Sequence, residues 1–151
     1  MEIATSARND PTENSPAAEA WAELRTLLGQ QRRRFLIAAS ELDLHPAQAG
    51  ALLQLASALP MTELASVLAC DNSNVTGLVD RLEARGLVAR HANPDDRRVK
   101  RVALTTAGGR LRGQLLERVG RPPGGFQRLS RAEQRQLRDL LRRVVEDDPA
   151  P

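Results

Sequence analysis

Residues Asn93 to Gly108, NPDDRRVKRVALTTAG, set two adjacent carboxylates, Asp95 and Asp96, against four cations, Arg97, Arg98, Lys100 and Arg101. Two chemistries use such groups. Paired carboxylates serve as general acid and base, but only where a pocket and a partner base separate their roles. Neighbours on a polar turn have neither, and the chain contains no G-x-S-x-G nucleophile motif, so enzymatic chemistry is not expected. Guanidinium groups instead make forked hydrogen bonds to phosphates and guanine edges. The charge is local: from Arg81 to Arg101, seven basic residues (Arg81, Arg85, Arg90, Arg97, Arg98, Lys100, Arg101) oppose three acidic ones (Glu83, Asp95, Asp96). That is a net of +4, against +3 for the whole chain. Taken alone, the segment reads equally well as a solvated turn whose surface ion pairs contribute little.

The elements that must position these groups are bounded by composition. A chain of 151 residues, 41% hydrophobic and 27% charged, suits one globular domain with short tails. The single cysteine, Cys70, excludes an intramolecular disulfide, and with only His45 and His91 beside it there is no ligand set for structural zinc. Residues 1–15 are polar, contain proline and lack the basic-then-apolar order of a secretory signal, so they read as a disordered tail of a cytoplasmic protein. Leu44 to Thr62 carries no Asp, Glu, Lys or Arg, but Pro46, Gln48, Gln54, Ser57 and Pro60 interrupt it. It reads as a buried helix from Pro46 to near Pro60, not as a membrane span.

Beyond it, MTELASVLACDNSNVTGLVDRLEARGLV (61–88) predicts two short helices joined by a tight turn. Thr62 suits the first N-cap, with Leu64, Val67 and Leu68 facing inward, and Asp71 or Ser73 caps the second. Val75, Leu78, Val79 and Leu82 make an apolar stripe, and Gly86 ends the helix. A rotation of about 100° per residue then turns Ser73, Gly77, Asp80 and Ala84 outward, flanked by Asn74, Thr76 and Arg81. These side chains are short and hydrogen-bonding, and a glycine on an exposed helical face suits close approach to another surface as well as simple tolerance.

After Gly86, LVARHA and RVKRVAL are strand-like runs separated by the Asn-Pro turn signal, which predicts a two-stranded hairpin with Val102 and Leu104 facing the core. A basic hairpin tip that follows a helix-turn-helix points to nucleic acid: Arg97 and Arg98 suit a minor groove lined by phosphates, and Asp96 can hold one arginine extended. With 2% aromatic content, only Trp21, Phe35 and Phe126, the chain lacks the stacking platform that single strands or RNA demand.

The stretch MTELASVLACDNSNVTGLVDRLEARGLVAR followed by NPDDRRVKRVALTTAG resembles the MarR family of winged helix-turn-helix transcription regulators, over Trp21 to Glu146. In the wing the resemblance rests on Asp96-x-Arg98-Val99 leading into Leu104-Thr105 and a glycine. It implies a mainly α fold with a small β-hairpin wing. One unit, 16–146, would hold dimerisation helices at 16–40 and 106–146 around a winged helix-turn-helix at 44–105, with tails at 1–15 and 147–151. It further implies a homodimeric repressor of double-stranded DNA on an inverted repeat, responsive to a small, commonly aromatic or phenolic effector, with no metal or cofactor and no membrane. Carried onto this chain, the DNA-binding residues are Asn72, Ser73, Asn74, Thr76, Gly77 and Arg81 on the recognition helix and Asp96, Arg97, Arg98 and Lys100 on the wing. Gly77 stands where many members have a bulkier, often basic residue. The alternative is a nonspecific or architectural nucleic-acid binder.

The flanking segments fit a dimer independently. The first helix aligns Trp21, Leu24, Leu28, Phe35 and Ala39, and the last aligns Leu137, Leu140, Leu141 and Val144 behind a Ser130/Glu133 cap, after a break at GRPPGG. Such stripes need more surface than a thin winged domain offers. Cys70, in the turn before the recognition helix, reads as a core residue, and His45 and His91 as surface or capping residues.

Overall fold

Ser15 begins the first helix of the computed structural model, which describes residues 15–93 and 99–147. Of the expected tails, 1–15 and 147–151, Ser15 caps the first helix and Asp147 ends the last, while 1–14 and 148–151, and the wing residues Asp96, Arg97 and Arg98 within 94–98, lie outside the described residues. The Ser15 hydroxyl accepts from the Ala18 amide at 3.2 Å and Pro16 takes the first helical position, where its missing N–H costs nothing. The chain forms two compact units, the first ending at Val119 and the second starting at Gly120.

In the first unit the order is α1 (Pro16–Glu41), α2 (Pro46–Gln54), β1 (Leu59–Pro60), α3 (Met61–Val67), α4 (Asn72–Ala84), β2 (Val88–Ala92), β3 (Lys100–Leu104) and α5 (Thr106–Val119). Helices α1 and α2 pack against α5. The core is aliphatic and small: Ala38, Ala39, Ala49, Leu52 and Leu55 meet Leu64, Val75, Val79 and Leu82 from the helix pair, with Val102 from the sheet and Leu115 from α5. Only the C-terminal end of α1 joins it. Trp21 and Leu28, expected on the packed stripe, are both 54% exposed.

Several local expectations are corrected. Helix α2 stops at Gln54, not near Pro60, because Leu59 and Pro60 pair with Val102 and Arg101 instead, and the Arg101 guanidinium donates to the Ala58 carbonyl at 2.6 Å. The sheet therefore has three strands in the order β1-β3-β2, where two were expected, and Pro60 is tolerated because β1 is an edge. Thr62 lies inside α3, which starts at Met61 without a side-chain cap, and Val67 is exposed while Ala65 takes the buried place. His45, by contrast, is as expected: it is exposed and caps α2 reciprocally with Gln48. Among the described residues no helix is long and apolar enough to cross a membrane.

The second unit holds a 3-10 turn, Gly124–Arg128, and α6 (Arg131–Asp147). The predicted cap is present: Ser130 N–H donates to a Glu133 carboxylate oxygen at 2.7 Å, and Glu133 N–H to the Ser130 hydroxyl at 3.3 Å. Leu140, Leu141, Val144 and Val145 are all exposed within it.

Candidate nucleic-acid interface

Helix α4 is held by both of its ends. At the start, the Asp71 carboxylate accepts from the Asn74 amide at 2.8 Å, from the Ser73 hydroxyl at 2.6 Å and from the Asn74 side-chain amide at 2.9 Å. The Ser73 hydrogen bond above all, then that of the Asn74 backbone, pulls the Asp71 pKa below the usual aspartate value. At the other end, Leu87 N–H bonds to the Leu82 carbonyl and Gly86 N–H to the Glu83 carbonyl, with Gly86 at φ +66°. This is a Schellman stop, for which glycine is the cheapest residue.

Between these ends Val75, Leu78, Val79 and Leu82 are buried, as their spacing predicted. The opposite face presents Asn72, Ser73, Asn74, Thr76 and Arg81 to solvent, with Gly77 half-buried among them and open space where its Cβ would be. The Thr76 hydroxyl is turned back onto the Asn72 carbonyl at 2.8 Å. Thus six predicted contact residues share one helix surface. Lys100 is exposed at the start of β3, opposite Ala92 on the hairpin arms that lead to the tip. Asp96, Arg97 and Arg98 fall outside the described residues.

Two features escaped the sequence. Asp80, expected on the outward face, is engaged there by Arg90 of β2 at 2.6 Å, and Glu83 takes the same guanidinium. Burial opposes the charge on Arg90, but the hydrogen bonds and charges of Asp80 and Glu83 outweigh it and raise its pKa. The signal existed in Asp80 and Glu83 three apart on one helical face, but their partner sits on another element.

The second feature is a cavity of about 680 Å³. Phe35 of α1 and Leu68 and Leu78 give it apolar walls, His45 and Gln48 stand at the start of α2, and Asn74 and Arg81 enter from α4. Cys70 is half-buried, packs against the core and also lines this cavity.

Comparison with known proteins matches the sequence and the fold to one family. A family model described as MarR family matches residues 51–100. The multiple antibiotic resistance protein MarR of Escherichia coli (strain K12) is 37% identical over 83 residues, 54% of this chain and 58% of that protein. The chain thus spans little more than half the length of the curated relatives it matches. Coverage by structure is wider. The reduced form of E. coli MarR superposes with a TM-score of 0.66 at 30% identity, over 82% of this chain and 94% of that one. A cysteine-to-serine mutant of E. coli MarR complexed with operator DNA gives 0.63 at 27%, over 90% and 99%.

Proposed function

Because the chain belongs to the MarR family of transcription regulators, which are not enzymes, we propose that it acts as a homodimeric, sequence-specific regulator bound to double-stranded DNA. Helix α4 enters the major groove with Asn72, Ser73, Asn74, Thr76, Gly77 and Arg81 toward bases and phosphates. The wing carries Asp96, Arg97, Arg98 and Lys100 to the adjacent minor groove. The observation that carries this reading is the division of α4: its large apolar residues are buried, and its other face is short-chained, polar and exposed around Gly77. Short side chains such as Asn74 and Thr76 reach base edges when the helix backbone comes close, and the missing side chain at Gly77 leaves room for that approach. The neighbour crystallised with operator DNA supports binding of double-stranded DNA.

A second copy is supported by the apolar side chains left in water, Trp21, Leu28, Leu36 and Ile37 on α1 and Leu140, Val144 and Val145 on α6. Regulation by a small aromatic anion is supported by the cavity, which has apolar walls and the Arg81 cation. An anion held there occupies a guanidinium that DNA also uses, so the ligand releases DNA, as a ligand-responsive repressor requires.

The test is selection of bound duplexes from a random pool by the purified protein at physiological salt. An enriched inverted repeat, with half-sites about one helical turn apart, is the expected result. Salt-sensitive retention without enrichment would make the chain a nonspecific binder and overturn the reading. On the enriched duplex, titration with small aromatic carboxylates should release DNA from the wild type but not from Arg81→Met.

A further inference from the structure

Arg90 lies on β2, outside the helix assigned to reading DNA, yet its guanidinium reaches three acceptors of α4: Asp80 at 2.6 Å, Glu83, and the Thr76 carbonyl at 3.4 Å. Its backbone N–H also donates to Glu83, at 3.1 Å. β2 is an edge strand, so this amide, which faces a side chain of α4, is one that an edge leaves without a ladder partner. One residue thus ties strand to helix through both its main chain and its side chain. A planar fork that binds two carboxylates fixes an angle, which a single flexible ion pair does not.

Resting on the DNA reading above, we propose that Arg90 is a positioning residue for recognition: it locks α4 to β2, so that helix and wing meet their grooves in one fixed relation, and sequence discrimination depends on this lock. The proposal differs in sign from simple electrostatics. Asp80 and Glu83 are exposed carboxylates on a surface assigned to DNA, so repulsion alone predicts tighter binding when they are removed. The lock predicts poorer recognition.

The experiment compares the full-length wild type, Arg90→Met, Arg90→Lys and the pair Asp80→Asn/Glu83→Ala. Each is titrated with the enriched duplex and with a random-sequence duplex of equal length. Partial unfolding lowers both affinities by one factor, so their ratio is the readout. Arg90→Met and the carboxylate pair are each expected to lower it by about tenfold or more, with Arg90→Lys between them and the wild type. An unchanged ratio, or tighter binding of the carboxylate pair to the enriched duplex, would overturn the proposal. A second measurement needs no DNA: the Arg90 amide should exchange with solvent about tenfold faster in Glu83→Ala than in the wild type. Equal exchange overturns the lock itself. A wild type that prefers no duplex removes the DNA reading, and the recognition role with it, whatever the exchange shows.

Discussion

The carbonyl oxygen of Leu87 occupies the space in which a side chain on Gly108 would begin: a Cβ there would stand 1.9 Å from it. Thr105 enforces the approach. Its N–H donates to the same Leu87 oxygen at 3.1 Å, and its hydroxyl donates to the Gly86 carbonyl at 2.6 Å while accepting from Gly108 N–H at 3.1 Å. The start of α5 is thereby joined to the corner between α4 and β2. Gly108→Ala should destabilise the fold by about 1–3 kcal/mol despite alanine's better helix propensity, seen as a lower urea midpoint with an unchanged slope. A variant as stable as the wild type would mean that α5 retreats from Leu87 at no cost.

Gly77 is the opposite case, since nothing lies within 4 Å of a Cβ built on it. Gly77→Ala should raise stability by about 0.5–1 kcal/mol, because a helix interior gains from the smaller unfolded ensemble. If α4 approaches bases as proposed, affinity for the enriched duplex falls in the same variant. Thermal denaturation and duplex titration on one preparation decide it, and a rise in both would show that the space at Gly77 is not used by DNA.

The helix pair was legible because its determinants are local: Asp71, the stripe from Val75 to Leu82, and Gly86 each act within one or two turns. The end of α2 was not. An uncharged run without a second proline between Pro46 and Pro60 is compatible with a helix throughout, and the pairing of Leu59 with Val102, far along the chain, is what takes its end into a strand after Gln54. Asp80 shows the same limit at the site. Its outward position followed from the helical period, but its partner Arg90 lies beyond a turn whose angle depends on Gly86 and Thr105. The cavity beside Arg81 draws on four separate segments, from Phe35 to Arg81, and no spacing within one of them announces it.

The Asp71 carboxyl titrates below its ordinary value of 3.8 because the folded chain donates hydrogen bonds to its charged form, from Ser73 first and then from the Asn74 amide. A pKa depressed by folding adds stability above the unfolded value, and that stability is lost as pH falls from about 3.8 through the lower folded value. In Asp71→Asn the cap survives, since asparagine also caps helices, but this dependence does not. The difference in urea midpoint between wild type and variant should therefore shrink between about pH 5 and pH 2. A difference that stays constant across that range would show that the charge of Asp71 does not hold the start of α4.

Arg98 tests the wing. A guanidinium in the minor groove neutralises phosphate charge and releases counterions, so Arg98→Ala should weaken duplex binding by about 1–3 kcal/mol. The slope of log affinity against log salt should fall by about one in the same variant. Unchanged affinity and slope would remove this arginine from DNA binding and leave α4 to act without it.

The exposed stripe of α6 tests the second copy. Leu140 and Val144 are 48% and 62% exposed, so neither holds the chain's own core together. Glutamate and glutamine are better helix formers than valine, and Val144→Glu with Leu140→Gln should leave the helix content unchanged in circular dichroism. If the stripe is covered by another copy, a buried charge there is unaffordable and the variant should elute as a monomer by light scattering. Each recognition helix then binds its half-site alone, and affinity for an inverted repeat should fall by about 100-fold or more, because the second contact is no longer held near the first. A dimer that persists would place the interface elsewhere on the chain, and a monomer that keeps full affinity would mean that two half-sites are not read together.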